Sequence, residues 1–306
     1  VTSSFVSMKF LWFRCDIIIP SAGLAVLVIA IALAGFFVKR ELDGTENTEH
    51  HCTMAQEAQA NMDRFKTEDH KAFVLGYTGE VGKVLVEELN RLKIFKKVIL
   101  IGRRATTLDL GPEFEQKLVD FENIDDYKDA FADLDVGFCC LGTTQANSGV
   151  QGFIRVDHDY VLMSAEVAKS QNCHHFSLVS SQGADKNSSF LYPRTKGQVE
   201  DALKVMHFGR LSVYRPGVLL CDRQESRPME AAFRTLLKPV TYFFPTAISS
   251  PVKVVALAMI NNAVAQTSSD STFELYDNKA IHQLSGISRG CDMKRSQSAP
   301  ESTKTK

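Results

Sequence analysis

The sequence lacks an excess of charge of either sign. Its 306 residues include 35 lysines and arginines against 36 aspartates and glutamates, so the formal net charge is −1 at pH 7. Proteins that attract nucleic acid electrostatically carry a marked positive excess, and this balance gives no support for a nucleic-acid partner.

Cysteine is present, but it lacks the spacing of a disulfide framework or a zinc site. Of the seven cysteines, only the adjacent pair Cys139–Cys140 is close in sequence, and we interpret both as small buried hydrophobic residues at a strand end. Neither His50–His51 nor His174–His175 has a metal-binding partner at a useful spacing. The sequence therefore predicts no metal site, and a reducing compartment for the folded part.

One long apolar run stands near the N-terminus. Residues 17–38 carry no charged side chain, and a bilayer core needs about 20 apolar residues. Because a cleaved signal peptide usually has a shorter apolar segment, we expect a retained transmembrane anchor over 17–38, preceded by a flank at 1–16. The polar, acidic stretch 39–70 is interpreted as a linker, and the polar tail 285–306 as disordered.

A glycine-rich turn organises the rest of the chain. An apolar run over 71–75 predicts a buried strand, followed by Gly76, Gly79 and Gly82 and then by apolar residues at helical spacing. This order is typical of a dinucleotide-binding loop, in which glycine lets the backbone approach a pyrophosphate and the helix N-terminus offers free N–H groups. By itself the glycine spacing is equally compatible with a chance cluster in a loop.

The second predicted strand leads to two arginines. It covers 97–101 and is followed by Arg103 and Arg104. In a doubly wound parallel sheet, an acidic residue here binds the free 2′-hydroxyl of NAD, whereas arginine accommodates the 2′-phosphate of NADP. Two arginines and no acid therefore predict NADPH as the cofactor.

Later segments extend the same α/β pattern. Asp120 follows a third short strand, where it would either meet the adenine edge or cap the next helix. Residues 135–144 predict a fourth strand and a small-residue turn beside the ligand crevice. Residues 153–170 are predicted to form one long amphipathic helix.

A tyrosine and a lysine carry the chemistry that we expect. Tyr192 and Lys196 open a helix after the fifth predicted strand, and their spacing places both on one helical face. Because an unperturbed tyrosine has a pKa of about 10, a tyrosine that donates a proton at neutral pH needs a neighbouring positive charge. Lys196 would supply that charge and also hold the nicotinamide ribose. Ser180 and Ser181, at the preceding strand end, could hydrogen-bond a substrate carbonyl.

These motifs resemble those of a known family. The chain is similar to the atypical short-chain dehydrogenase/reductases and, more specifically, to the HIV Tat-interactive protein 2 oxidoreductase family. The resemblance covers roughly residues 71–284 and rests on the blocks 75–82, 101–104, 137–144, 180–186, 215–227 and 277–282.

The resemblance implies a Rossmann domain over 71–284 that reduces a carbonyl substrate with NADPH through a serine, a tyrosine and a lysine. It implies cofactor contacts at Gly76, Thr78, Gly79, Glu80, Val81, Arg103, Arg104, Leu141, Gly142, Tyr192, Lys196, Leu219 and Arg227. The glycine pattern adds Gly82 to this set, and the position of Asp120 after the third strand adds Asp120.

The family resemblance also implies a regulatory role in apoptosis and binding to nuclear-import receptors. Together with the anchor, it leads us to expect a location at the endoplasmic reticulum or the nuclear envelope, with the folded domain in the cytosol. The alternative function is a non-catalytic NADPH-binding redox sensor that acts through protein partners.

One further motif lies in the tail. Arg295, Ser298 and Pro300 have the spacing of a phosphoserine motif for 14-3-3 proteins. A chance match in a serine-rich tail is the alternative interpretation.

Overall fold

The computed structural model describes residues 59–220, 249–266 and 272–287, all within the compact unit formed by residues 51–306. Its strands are β1 (Lys71–Leu75), β2 (Lys97–Gly102), β3 (Phe114–Leu118), β4 (Val136–Cys139), β5 (His175–Val179), β6 (Arg210–Tyr214), β7 (Val218–Leu220), β8 (Ser249–Pro251) and β9 (Phe273–Tyr276). The α-helices with both ends described are α1 (Glu80–Leu92), α2 (Gln145–Ile154), α3 (Tyr160–Ser170), α4 (Leu191–Val205), α5 (Val252–Val264) and α6 (Asn278–Leu284). A 3₁₀ helix covers Phe121–Ala130, and a π-helical turn covers Arg155–Asp159.

The main sheet has seven parallel strands in the order β3-β2-β1-β4-β5-β6-β9. The order reverses between β1 and β4, which is the point where doubly wound sheets bind ligands. Leu75 at the end of β1 pairs with Ile101 in β2 and with Cys139 in β4. The carboxyl ends of these three strands therefore lie side by side, and the loops that follow them share one crevice.

Apolar side chains cover both faces of the sheet. In β1, Ala72 and Val74 face one layer and Phe73 and Leu75 face the other, and all four are buried. This alternation explains why the strand is a continuous apolar run, as expected of a parallel strand covered on both sides. The first layer includes α1 and α5, and the second includes α3 and α4.

The described helical residues 59–66 belong to the first layer. Met62 and Phe65 are buried, and the Phe65 ring meets the Phe95 ring edge-on with their centroids 5.3 Å apart. The chain is therefore packed against the domain before β1 begins at Lys71.

The strands β7 and β8 form a separate parallel pair. Asn278, the first residue of α6, connects to this pair through its side-chain amide: its Oδ1 accepts from the Gly217 N–H at 2.8 Å, and its Nδ2 donates to the Ser249 carbonyl at 3.3 Å. The start of α6 therefore holds β7 and β8 together.

The predicted parallel Rossmann sheet is confirmed, but the transmembrane part of the fold prediction needs correction. Residues 17–38 lie outside the described residues, and the described part of the chain has no helix both long and apolar enough to cross a membrane. That prediction was based only on the apolar composition of residues 17–38. The N-terminal transmembrane helix is therefore not supported, and we withdraw it.

Candidate cofactor and active site

The turn after β1 requires glycine at two positions. Gly76 has a φ of +74°, and a Cβ there would lie 2.5 Å from the Cys140 carbonyl oxygen. A Cβ on Gly82 would lie 2.2 Å from the Gly76 carbonyl oxygen. Both distances are too short for any side chain, so the glycine spacing is a structural requirement of this turn and not a chance cluster.

Helix α1 begins directly beyond this turn. Gly79 is its N-cap residue and donates its N–H to the Gly76 carbonyl at 2.9 Å. Because glycine has no side chain to accept hydrogen bonds from the first-turn N–H groups, these donors suit an anionic ligand such as a pyrophosphate. Glu80, Val81 and Gly82 form this first turn.

The loops after β1, β2 and β4 enclose a cleft of about 320 Å³. The expected cofactor residues that line it are Gly76, Thr78, Gly79, Arg103, Arg104, Leu141 and Gly142. Phe121 and Val156 add apolar surface to its wall. A turn that excludes Cβ atoms, a helix N-terminus and two arginines around one cleft fit a dinucleotide phosphate.

Tyr77 supports the loop that carries the arginines. Its buried hydroxyl donates to the Arg104 carbonyl at 2.7 Å, and Gln116 Oε1 lies 3.2 Å from the same hydroxyl. Gln116 also receives the Thr106 N–H at 3.0 Å and donates to the Thr106 carbonyl at 2.7 Å. Burial raises the pKa of Tyr77, so its hydroxyl keeps the proton it donates. The sequence analysis did not identify this role of Tyr77.

Both arginines of this loop are exposed at the rim of the cleft. The Arg103 guanidinium lies 5.9 Å from the centroid of the Tyr160 ring. Among the ion pairs of the described residues, none involves Arg103 or Arg104. Two cations that have no acidic partner in the described part of the chain are suited to a phosphate group.

Of the two roles considered for Asp120, contact with the adenine edge and capping of the next helix, the structure shows the capping role. Its carboxylate caps the 3₁₀ helix, accepting from the Glu122 N–H at 3.0 Å and from Asn123 Nδ2 at 2.9 Å. Asp120 is exposed, and it is the next residue, Phe121, that lines the cleft.

Lys196 forms a buried ion pair that was not predicted. Its Nζ lies 2.8 Å from Asp157 Oδ1, and the two side chains are 6% and 1% exposed. Asp157 Oδ2 accepts from the Thr143 N–H at 2.7 Å. A Cβ on Gly142 would lie 3.4 Å from Asp157 Oδ1 and 4.0 Å from Lys196 Nζ, so the pair stands at the cleft wall.

Burial and charge act on Lys196 in opposite directions. Desolvation disfavours its charged form, but the Asp157 carboxylate and the Tyr192 phenol favour it, and the net effect raises the pKa of Lys196. The same site holds the buried thiol of Cys139, whose pKa burial raises to about 11. Lys196 is therefore a charged group in a site where the neighbouring cysteine is neutral.

The two serines after β5 have different surroundings. Ser180 is buried and donates its hydroxyl to Glu200 Oε1, and Arg215 Nε donates to the same oxygen at 3.0 Å. Ser181 is partly exposed, and its hydroxyl has a 3.2 Å contact with the Gln182 carbonyl. Of the two hydroxyl groups, only that of Ser181 lies outside the buried Glu200 network.

Tyr192 lies at the start of α4, one turn before Lys196. Its side chain is 43% exposed, and its ring centroid lies 5.7 Å from that of Phe153, with 31° between the planes. Leu219 belongs to β7, outside the main sheet. Arg227 lies outside the described residues.

The comparisons with known proteins agree with this geometry. Residues 76–207 match a family model described as NAD(P)H-binding. Protein HTATIP2 of Rattus norvegicus is 50% identical over 228 residues, which cover 74% of this chain and 93% of that protein. The chain belongs to the HTATIP2 family. The resemblance drawn from the motifs is confirmed, and this HTATIP2-family chain is an NAD(P)-binding, oxidoreductase-like protein.

More distant relatives share the fold or part of the sequence. Protein fmp52, mitochondrial, of Aspergillus niger is 36% identical over 168 residues, which cover 53% of this chain and 71% of that protein. Among solved structures, a short-chain type dehydrogenase/reductase from Mycobacterium ulcerans superposes with a TM-score of 0.52 at 18% identity, over 70% of this chain and 90% of that one. This likeness shows a common fold.

The expected location also needs correction. It required an anchor at the endoplasmic reticulum or the nuclear envelope, whereas the fungal relatives of this HTATIP2-family chain are named mitochondrial proteins. The described residues contain no helix able to span a membrane. The membrane-anchored location is therefore not supported, and we withdraw it.

Proposed function

We propose that this HTATIP2-family protein is an NADPH-dependent oxidoreductase that reduces a carbonyl compound. One arrangement carries the proposal: the exposed phenol of Tyr192 and the buried ammonium of Lys196 stand on successive turns of α4. The ammonium reaches the wall of the cleft at Gly142, which the glycine turn also borders. A phenol suited to donate a proton thus stands one helical turn from a cation at the wall of this cleft.

Each side chain then has a distinct role. The bound nicotinamide would supply a hydride to the carbonyl carbon. Tyr192 would donate its phenolic proton to the carbonyl oxygen, and Ser181 would hydrogen-bond that oxygen. Lys196 would hold the nicotinamide ribose and offset the negative charge left on Tyr192. Ser180 is excluded from substrate contact in this proposal because its hydroxyl is bound to Glu200.

The choice of NADPH rests on Arg103 and Arg104. Both line the cleft, both are exposed, and within the described ranges neither has an acidic partner. Guanidinium groups bind phosphate through charge-assisted hydrogen bonds, and the 2′-phosphate is what NADPH has and NADH lacks. We therefore assign these arginines to the 2′-phosphate.

Apolar side chains occur on the two helices, α2 and α4, that meet at Tyr192. The Phe153 ring contacts the Tyr192 ring, and Val150, one turn earlier on α2, is 50% exposed. Phe190, the N-cap residue of α4, is 78% exposed. These side chains favour a carbonyl compound with an apolar body over a highly polar one.

The alternative is a redox sensor that binds NADPH without turnover. A sensor needs the same cleft but has no use for the Tyr192 hydroxyl. A regulatory protein of this kind would act through partners. Two partners stay predictions: nuclear-import receptors, and a 14-3-3 protein bound through Ser298. Ser298 lies outside the described residues.

Tyr192→Phe separates the two functions. It removes one hydroxyl and keeps the ring, so NADPH affinity measured by fluorescence should equal that of the parent. NADPH oxidation with a series of apolar and polar aldehydes should fall about 10²- to 10⁴-fold, the usual contribution of a general acid. Tyr127→Phe, which removes a phenol in the 3₁₀ helix, is the matched control.

Two outcomes would count against the proposal. Undiminished turnover in Tyr192→Phe would exclude Tyr192 as the proton donor. NADPH binding by a parent protein that oxidises the cofactor with none of the aldehydes would favour the sensor.

A further inference from the structure

Asp157 places a carboxyl group in a buried part of the site. It is 1% exposed, and its partner Lys196 is 6% exposed. Taking either charge out of water alone is costly, and a buried ammonium without a counter-ion tends to release its proton. The charge of Lys196, which the proposed function requires, therefore depends on the carboxylate beside it.

The backbone around Asp157 is unusual and directs its carboxylate at the site. Asp157 is the central residue of the π-helical turn Arg155–Asp159, which joins α2 to α3. Such turns are rare within helices and frequently occur at functional sites. Here the turn places one carboxylate oxygen on Lys196 and the other on the Thr143 N–H. Asp157 thus connects the loop after β4 to helix α4.

The ion pair leaves donors of Lys196 unused. An ammonium has three N–H donors, and Asp157 Oδ1 takes one at 2.8 Å. Among the described residues, no hydrogen bond occupies the other two. Because Gly142, next to this ammonium, lines the cleft, the two remaining donors suit two neighbouring hydroxyl groups of a ribose.

Fold stability alone does not account for this pair. Apolar side chains of similar size would stabilise a buried site as well as an ion pair does, or better. A charged pair beside a cleft is therefore better explained by what the ammonium does there.

We propose that Asp157 is a positioning residue: its carboxylate fixes the Lys196 ammonium at the nicotinamide end of the cleft and keeps it charged in a buried site. This inference rests on the proposed function, in which Lys196 holds the nicotinamide ribose. Asp157 acts through Lys196 and is not itself a catalytic residue.

The test removes the charge of Asp157 and follows Lys196 directly. Asp157→Asn keeps the side-chain shape and an acceptor, and Asp159→Asn in the same turn is the matched control. The full chain is labelled with ¹³C at lysine Cε, and the Lys196 signal is assigned by its loss in Lys196→Met. Other groups that act on Lys196 are the Tyr192 phenol and the Cys139 thiol, and both are kept in these variants.

In the parent and in Asp159→Asn, the Lys196 signal should not titrate between about pH 6 and pH 10. In Asp157→Asn it should titrate within that range, because desolvation is no longer opposed by the carboxylate. At pH values above this Lys196 titration, the NADPH affinity of Asp157→Asn should be about 10- to 100-fold lower than that of the parent. This is the range for a lost charge-assisted hydrogen bond. A Lys196 that stays charged in Asp157→Asn with parental NADPH affinity would overturn the inference.

Asp157→Glu keeps the test decisive if Asp157→Asn does not fold. The longer carboxylate keeps the charge but displaces the ammonium, so Lys196 should stay charged while NADPH affinity falls. Unchanged NADPH affinity in Asp157→Glu would overturn the positioning role. Parental NADPH affinity in Lys196→Met would instead contradict the proposed function. The NMR titration is carried out without the cofactor, so it tests the effect of Asp157 on Lys196 independently of that function.

Discussion

Ser180 donates its hydroxyl hydrogen to the buried carboxylate of Glu200, a residue in the middle of α4. Arg215 binds the same carboxylate with two of its nitrogens. Of the two serines at the end of β5, Ser180 thus belongs to a buried polar network and Ser181 faces outward. The two serines should therefore respond differently to substitution.

Ser180→Ala should lower the free energy of unfolding by about 1–3 kcal/mol, because it removes a donor from a buried carboxylate. Turnover per folded molecule should stay close to that of the parent. Ser181→Ala should leave stability within about 0.5 kcal/mol and lower turnover with the best aldehyde. Urea unfolding and NADPH oxidation measure the two effects, and lost turnover in Ser180→Ala at parental stability would contradict the assignment.

Replacing both Arg103 and Arg104 with Ala should weaken NADPH binding and leave NADH binding almost unchanged, because NADH has no 2′-phosphate. Each charge-assisted hydrogen bond is worth about 1.5–3 kcal/mol, so the loss should be several kcal/mol at most. Arg155→Ala is the control, since Arg155 is paired with Glu122 at 3.0 Å. Fluorescence titration with both cofactors measures the effect, and equal weakening of both would show that these arginines do not bind that phosphate.

Tyr77→Phe should weaken NADPH binding although the Tyr77 side chain is buried. The substitution removes the hydroxyl that binds the Arg104 carbonyl at 2.7 Å, which costs about 0.5–1.5 kcal/mol of stability and loosens the arginine loop. NADPH affinity should fall severalfold while NADH affinity is kept. A variant with parental NADPH affinity would show that the loop holds its position without this hydrogen bond.

His175→Gln should reduce the pH dependence of stability. Burial and then the Arg210 charge lower the pKa of His175 to about 3, with Glu274 and His174 as the other charged or titratable neighbours. The unfolded chain binds a proton near pH 6.5 that the folded chain does not, so stability falls as the pH decreases from about 6.5 toward 3.

The contribution of His175 to this slope is at most about 1.4 kcal/mol per pH unit. His175→Gln removes it and keeps a polar group near Ser212, which lies 2.8 Å from the histidine ring. Urea unfolding of both proteins between about pH 6.5 and 5, a range above most carboxyl pKa values, should show a shallower slope for the variant. Identical slopes would contradict a neutral His175 in the folded protein.

Local sequence patterns were enough to predict the parallel sheet and the cofactor loop. Buried parallel strands appear as apolar runs. Gly82 is required by a contact with Gly76 in the same turn, and Gly76 by its φ of +74° as well as by the Cys140 carbonyl, which is distant in sequence. Arg103 and Arg104 could be predicted because their position follows directly from the end of β2. Apart from the Cys140 contact, these features depend on residues close in sequence, which is why the sequence reveals them.

The remaining features depend on long-range contacts or on irregular backbone. The difference between Ser180 and Ser181 arises from Glu200, twenty residues away. Asp157 was missed because residues 153–170 were predicted to form one regular helix, whereas the π-helical turn interrupts it. Asp157 is an acidic residue on the apolar face of that predicted helix, and this unusual position could have identified it as a site residue.

The same turn makes the site sensitive to chain length. A π-helical turn holds one residue more than an α-helical turn, so deleting Asp159 would convert Arg155–Asp159 to an ordinary α-helical turn. The Asp157 carboxylate would then lose the direction that places it on Lys196 and on the Thr143 N–H, although α3 would keep its place in the core. The loss of a single codon, at a residue that does not line the cofactor cleft, would thus alter the site.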